Sequence, residues 1–473
     1  MGQPTPSVIL LEFNELSPTL MDRFIHAGEL PAFRKLRAES HCYVTDADGR
    51  PPFLNPWVQW PTVHTGVPYT EHGLTRLDEG HKLRQKNVWD LLSAAGFRVW
   101  ICGTMNTNYD PTLDGAVLPD PWASHIEPHP SSLAPFYTFV KKNIQEHTND
   151  DAGISLKEAA AFAAFLVGHG LSRSTVKAVV RQIVAERTHR AGRWRRVALL
   201  DRLQFDVFRS YYRRLEPNFS IFFSNSTAYL QHKHWRNLDP GPFAVKPTAE
   251  EQARFADAVL FGYKQMDALI SEFMRLAGDG ATLVFSTALS QQPCLAYEDQ
   301  GGKSFYRPRD FQAFLTFAGV PRYVEIAPVM SEKFYVRFDD EIAAGEAERM
   351  LKKLEAGGEP LMFVDRQGTE VYCGCQLYST VPQDARIRMH DSLRTAPFYE
   401  LLYRAEGLKS GMHHSDGILW IRYPNKEHCV HDEKVPLTAV APTLLDLFSV
   451  RIPAYMQAES LLWAESPRAV AHG

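Results

Sequence analysis

One rhythm limits what this chain can fold into more than any other feature. Short apolar runs end on a polar residue, and amphipathic helical patterns separate them. SVILLEF ends its apolar run at Glu12 and Phe13, and LSPTLMDRFIHAGELPAFRKL after it has helical spacing, with Ser17 before Pro18 as an N-cap and N1 pair. NVWDLLSAAGF then reads as a helix closed by Gly96, followed by RVWICG as a strand. NFSIFFSNS, ATLVFSTALS and DGILWIRY complete the set of buried strands. Continuous apolar strands interleaved with helices predict an α/β protein. Its central sheet is mostly parallel and sandwiched by helices on both faces. In such sheets ligands sit beyond the carboxyl ends of the strands. Glu12, Asn225 and residues 286–290 fall at such ends.

Two stretches break the rhythm and read as insertions. Residues 131–215 are helical and predict a basic cap, since Leu171 to Leu215 carries 12 Lys or Arg against Glu186, Asp201 and Asp206. Such a block is either a solvated helix face or a surface that draws an anion or a membrane toward a site. Residues 301–395 are polar with Gly-rich turns and read as a second insertion. The core then comprises 1–130, 216–300 and 396–473. At 473 residues the chain exceeds one ordinary core, which fits this plan.

Composition bounds the rest. A net charge of -4 makes the whole chain no obvious polyanion binder, so no nucleic-acid partner is expected. MGQPTPSVILLEF lacks a basic n-region, Pro6 occupies the position where a myristoylation signal needs Ser or Thr, and no apolar run is long enough for a transmembrane helix. Six scattered cysteines, with only Cys373 and Cys375 close together, read as reduced thiols and a cytoplasmic protein.

Six ordered segments carry a family resemblance. They are SVILLEFNELSPTLMDRF, WPTVHTGVPYTEHGL, NFSIFFSNSTAYLQHKHW, ATLVFSTALS, GMHHSDGILWI and TAVAPTLLDLFSVRIPAYM. Together they resemble the alkaline phosphatase superfamily, most closely its nucleotide pyrophosphatase/phosphodiesterase-like branch. That resemblance implies two metal ions and a Thr or Ser nucleophile. The family's first-strand Asp falls at Glu12. No Ser, Thr or Cys occupies 55–58, where the nucleophile belongs, and Thr62 is the nearest hydroxyl. The D-x-x-x-H pair becomes Ala228 and His232. The S-D-H-G becomes Ser286, Thr287, Ala288 and Leu289. The G-x-H keeps His413, with His414 beside it.

The ligands that survive in this alignment are Glu12, His232 and His413. The resemblance thus implies at most one divalent ion, zinc or manganese, or none, on a degenerate site. Glu12, His232, His413 and His414 are the candidate catalytic groups. Asn14, Gln59, His64, Asn106, Asn225, Ser290 and Gln291 are the candidate substrate-binding groups. The implied activity is a hydrolase or transferase acting on a phosphate, sulfate or related anionic ester of a small molecule or conjugate. A non-catalytic binding descendant and a metal-free enzyme of other chemistry remain as alternatives. Glu12, Asn225, His232 and His413 are expected to converge, and the reaction to proceed without a phospho-enzyme, with Glu12 and the His413–His414 pair as bases.

Overall fold

The computed structural model describes residues 6–462 apart from 48, 50–52, 124, 147–154, 189 and 391. At its centre lies a nine-stranded sheet. Strand β1 (Val8–Phe13) sits between β5 (Phe219–Ser224) and β6 (Thr282–Ser286), and is parallel to both. Strands β3 (Val99–Cys102) and β4 (Gly115–Leu118) extend the sheet beyond β5, also in parallel. On the other side the strand Asp416–Arg422 runs antiparallel to both β6 and β2 (His41–Asp46). Two two-residue strands, Cys429–Val430 and Val435–Pro436, pair in parallel with β2 at the edge. The sheet is mostly parallel and flanked by helices, as the alternation predicts.

The pleat of β1 distributes its side chains between two cores. Ile9, Leu11 and Phe13 pack with Phe33, Phe222, Tyr263 and Phe285. Val8 and Leu10 pack with Trp60, Val63 and Trp89 on the opposite face. Successive side chains on a strand alternate sides, so Glu12 shares the side of Val8 and Leu10. That side is covered by helix α3 (Pro56–Thr65).

The 131–215 block divides. The helix Arg173–Thr188 leaves Val176, Val180, Ile183 and Val184 exposed. The helix Val197–Leu215 is part of the core layer, with Phe205, Phe208 and Tyr211 buried against Trp100 and Phe222. The expectation of a cap over the whole block is therefore corrected at its last helix. Charge counting missed this because the basic residues lie on the outer side of an amphipathic helix. Several basic residues of the block are also paired, Arg196 with Glu186 and Arg195 with Asp257 just before this helix and Arg209 with Asp206 within it.

The 301–395 stretch builds a lobe with a core of its own. Phe314, Phe334, Val336, Leu351, Val371 and Cys373 are its centre. Two four-stranded antiparallel sheets and two helices, Phe311–Ala318 and Glu341–Lys352, frame it. Among the described residues, no helix is long and apolar enough to cross a membrane.

Candidate functional site

Chain geometry just past β1 decides what can meet. Asn14 and Glu15 follow the strand, and Glu15 has φ 59°, a left-handed conformation that a residue with a Cβ adopts at a cost. This turn swings the Glu15 side chain away from the side that Glu12 faces. Its carboxylate reaches the helix Ser226–Leu238, where Oε2 lies 2.9 Å from His232 Nε2. It also reaches the short strand Gly411–His414, where Oε1 lies 3.6 Å from His413 Nε2. The ligand-type atoms of Glu15, His232 and His413 all lie within 4.8 Å of one another.

A polar frame fixes the carboxylate. Asn14 Nδ2 donates to Glu15 Oε1 at 2.9 Å and to Asn225 Oδ1 at 2.7 Å. Trp60 Nε1 donates to Asn14 Oδ1 at 2.9 Å. Gln291 Nε2 donates to Glu15 Oε2 and to the Ala228 carbonyl. Gln231 Nε2 donates to the Glu15 carbonyl at 2.8 Å, and Tyr263 in turn donates to Gln231 Oε1 at 2.7 Å. Gly411 lets this frame close, because a Cβ there would stand 2.3 Å from Gln291 Oε1.

The two imidazoles differ in how they are held. His232 Nδ1 lies 2.8 Å from the Gly411 carbonyl, which can only accept. The proton therefore sits on Nδ1, and in the neutral ring the Nε2 lone pair faces Glu15. Burial pushes the His413 imidazole down, against the pull of the Glu15 carboxylate, and His232 and then Lys409 add smaller pushes in the same direction. Burial also opposes ionisation of Glu15, but when the rings are protonated the charges and hydrogen bonds of His413 and His232 hold it well below the usual carboxylate range; a divalent ion would replace those protons. An ionised carboxylate with imidazole lone pairs is the ligand state for a divalent ion.

The other expected residues divide between this cluster and separate places. Asn14, Asn225 and Gln291 belong to the Glu15 frame. Glu12 does not. It is fully buried, with His64 Nε2 2.8 Å from its Oε1 and the Thr104 hydroxyl donating to its Oε2. The expected convergence of Glu12 with His232 and His413 is corrected on this point, and the cause is the pleat of β1. His414 accepts from the Asp416 amide at 3.1 Å. Strand alternation puts it and its register partner Ser290, on β7 (Ser290–Pro293), opposite the His413–Gln291 pair. Asn106 ties loops together, donating to the carbonyls of Trp57 and Arg76 and accepting from the amides of Glu79 and Gly80. Gln59 donates to the Phe53 carbonyl at 3.3 Å. With Thr62 it lines a cleft of about 250 Å³ whose walls also include Asp46, Glu71 and Tyr455 but none of Glu15, His232 and His413. The Thr62 hydroxyl lies 3.2 Å from His72 Nε2.

Alignment to the family positions did not select Glu15. The available signal was the vacancy at Ala228. Ala228 and His232 are four apart on one helix face, and the Glu15 carboxylate is tied through Gln291 to the Ala228 carbonyl.

No protein-family model matches the sequence, and no curated protein matches it. Solved structures are similar over nearly the whole chain. Phosphonoacetate hydrolase from Sinorhizobium meliloti 1021, in complex with phosphonoformate, is 13% identical. That match covers 94% of this chain and 96% of that one, with a TM-score of 0.43. Murine ectonucleotide pyrophosphatase/phosphodiesterase 5 is 10% identical over 97% and 98% of the two chains, with a TM-score of 0.40. Wild-type alkaline phosphatase PafA is 10% identical over 98% and 99%, with a TM-score of 0.46.

Proposed function

We propose that the protein is a hydrolase or transferase acting on a phosphate, sulfate or related anionic ester, with one divalent metal held by Glu15, His232 and His413. One observation carries this reading. His232 Nε2 and Glu15 Oε2 stand 2.9 Å apart, and both present lone pairs when the ring is neutral. At this distance the pair shares a proton, and with an opening of about 0.4 Å it takes up the spacing of two ligands on one zinc, with His413 as a third donor beside it. Two imidazoles and a carboxylate suit zinc and similar ions. The fixed His232 tautomer and the amide-clamped Glu15 are the outer contacts that such ligands use.

A bound divalent ion would supply Lewis-acid stabilisation of negative charge on the ester. The chain's own residues do the rest. Asn14 and Gln291 hold the carboxylate in place, and Lys409 contributes positive charge beside His413. The side chains of His232 and His413 are 25% and 15% exposed, so an ester oxygen can approach them. Glu15 here takes over the part of the carboxylate that the family pattern has at Ala228. A Thr or Ser nucleophile is absent at 55–58. The acceptor is then water or a substrate hydroxyl that attacks directly.

The test is metal analysis of protein purified without chelator, followed by turnover on a panel of phosphate and sulfate monoesters and diesters. One equivalent of zinc or manganese that is lost in Glu15→Gln, with turnover of one ester class lost alongside, is the expected result. A metal content unchanged in Glu15→Gln, in a protein inert on every class, would instead favour a non-catalytic binding role.

A further inference from the structure

The opposite edge of the central sheet carries a second cluster of metal-ligating side chains. Strand β2 runs in the same direction as β1 and β6, since Asp416–Arg422 is antiparallel to both β2 and β6. Its first residue, His41, therefore lies at the amino edge, whereas Glu15 lies beyond the carboxyl edge. His41 pairs in parallel register with Cys429 of the two-residue edge strand. The chain continues to His431, whose amide donates to the Cys42 carbonyl at 3.0 Å. The pleat puts His41, Cys429 and His431 on one side. Cys42 is turned elsewhere, its Sγ 3.6 Å from the carbonyls of Arg37 and Ser40.

We propose that His41, Cys429 and His431 form a zinc-class metal site that clips the 429–431 segment to the edge of the sheet. The sulfur and the two imidazoles offer ligand atoms within 4.8 Å of one another. His41 Nδ1 and His431 Nε2 are 3.5 Å apart. Two nitrogens bound tetrahedrally to one zinc at about 2.0–2.1 Å stand about 3.3–3.4 Å apart, so little movement is needed. As a direct hydrogen bond, 3.5 Å is long for a nitrogen donor. One thiolate with two imidazoles is a borderline-soft donor set, which suits zinc, and a fourth position remains for water. The rings are also held against rotation. Tyr43 stacks on His431 with centroids 4.0 Å apart, and Tyr423 meets His41 edge-on at 5.2 Å. His41 is buried, while Cys429 and His431 are partly exposed, so an ion has a way in. The site gives a reason for a two-residue edge strand to hold its register, which two backbone pairs alone do poorly.

The test uses the full chain, reduced, stripped with chelator and titrated with cobalt(II). A thiolate-to-cobalt charge-transfer band that is displaced by zinc is expected, and in the Glu15→Gln chain it saturates at one equivalent. Cys429→Ser abolishes the band, and Cys42→Ser keeps it. His431→Ala weakens cobalt binding beyond the roughly 10–100-fold that loss of an outer contact costs. Glu15→Gln retains the band, so this result is independent of the fate of the other site. Absence of the band in the wild-type chain, or its survival in Cys429→Ser, overturns the proposal. Circular dichroism of each variant separates loss of the site from loss of the fold.

Discussion

Glu12 and Glu15 are three residues apart, both buried and both against histidine, yet their surroundings differ in what they permit. Glu12 meets one imidazole and one hydroxyl in a closed pocket, where the His64 side chain is 1% exposed. Glu15 meets two imidazoles that reach solvent, and three amide groups clamp its carboxylate and its carbonyl. The first arrangement is buried and has hydrogen-bond partners on both carboxylate oxygens. The second leaves lone pairs pointing at a common place. The difference arises from where the strand ends. Glu12 obeys the pleat and faces α3, whereas the left-handed turn at Glu15 releases its side chain toward the helix Ser226–Leu238.

The largest expected effect separates the two glutamates outright. Glu15→Gln keeps the shape of the side chain but removes the charge that two imidazoles face. Metal affinity and ester turnover should each fall by roughly 100-fold or more, beyond the cost of losing an outer contact. Glu12→Gln should leave bound metal at the wild-type level. Equal loss of metal in both variants would mean that the two carboxylates serve one ion and that the contrast drawn above is false.

A second variant sharpens the comparison by moving the carboxylate. Adding Ala228→Asp to Glu15→Gln places an acid four residues before His232 on the same helix face. Metal stoichiometry, measured by elemental analysis, should recover in part. Failure of rescue in a folded double variant would show that the Glu15 turn itself supplies the geometry, and not merely a negative charge near two histidines.

The closed pocket should show itself in stability. Thr104→Val removes the donor to Glu12 Oε2 and leaves a buried carboxylate oxygen short of a partner, at a cost of about 1–3 kcal/mol in denaturant unfolding. Thr62→Ala should cost under about 1.5 kcal/mol, because its hydroxyl makes a single 3.2 Å contact with His72. A larger loss of turnover than of stability in Thr62→Ala would point to a nucleophilic hydroxyl in the adjacent cleft.

Much of this was legible in the sequence. Apolar runs ending in polar residues located β1, β5 and β6, and their parallel order follows from the helices between them. His232 and His413 were legible because their motif spacing survives. Glu15 was not, because its selection depends on a single backbone φ that no periodicity encodes. The misplacement of Glu12 has the opposite cause. Its position in the strand was known, but which layer α3 would occupy is a tertiary fact. The helix Val197–Leu215 was read as cap for a similar reason. Its charges are conspicuous in sequence, while Phe205, Phe208 and Tyr211 on its inner side decide where it packs.

The smallest effect concerns a carboxylate whose surroundings are the reverse of those of Glu15. Among the described residues no cation pairs with the buried Asp120, and burial, with the Asp78 carboxylate adding to it, pushes its pKa up to about 7, against hydrogen bonds from the amides of Trp122, Thr107 and Ala123. The folded chain therefore holds a proton there between about pH 4 and pH 7 that the unfolded chain releases. Stability from this group is highest at the acid end of that window and falls as pH rises through it, the opposite of an acid whose pKa folding lowers. Asp120→Asn keeps an acceptor for the Trp122 amide and carries no charge at any pH. The variant and the wild type should melt closest together near pH 4, the acid end of that window. Near pH 8 the variant should melt higher, by on the order of 2 °C. A difference that is the same at both pH values would show that Asp120 stays ionised throughout, and that a buried acid in this fold keeps its charge without the histidines that Glu15 has.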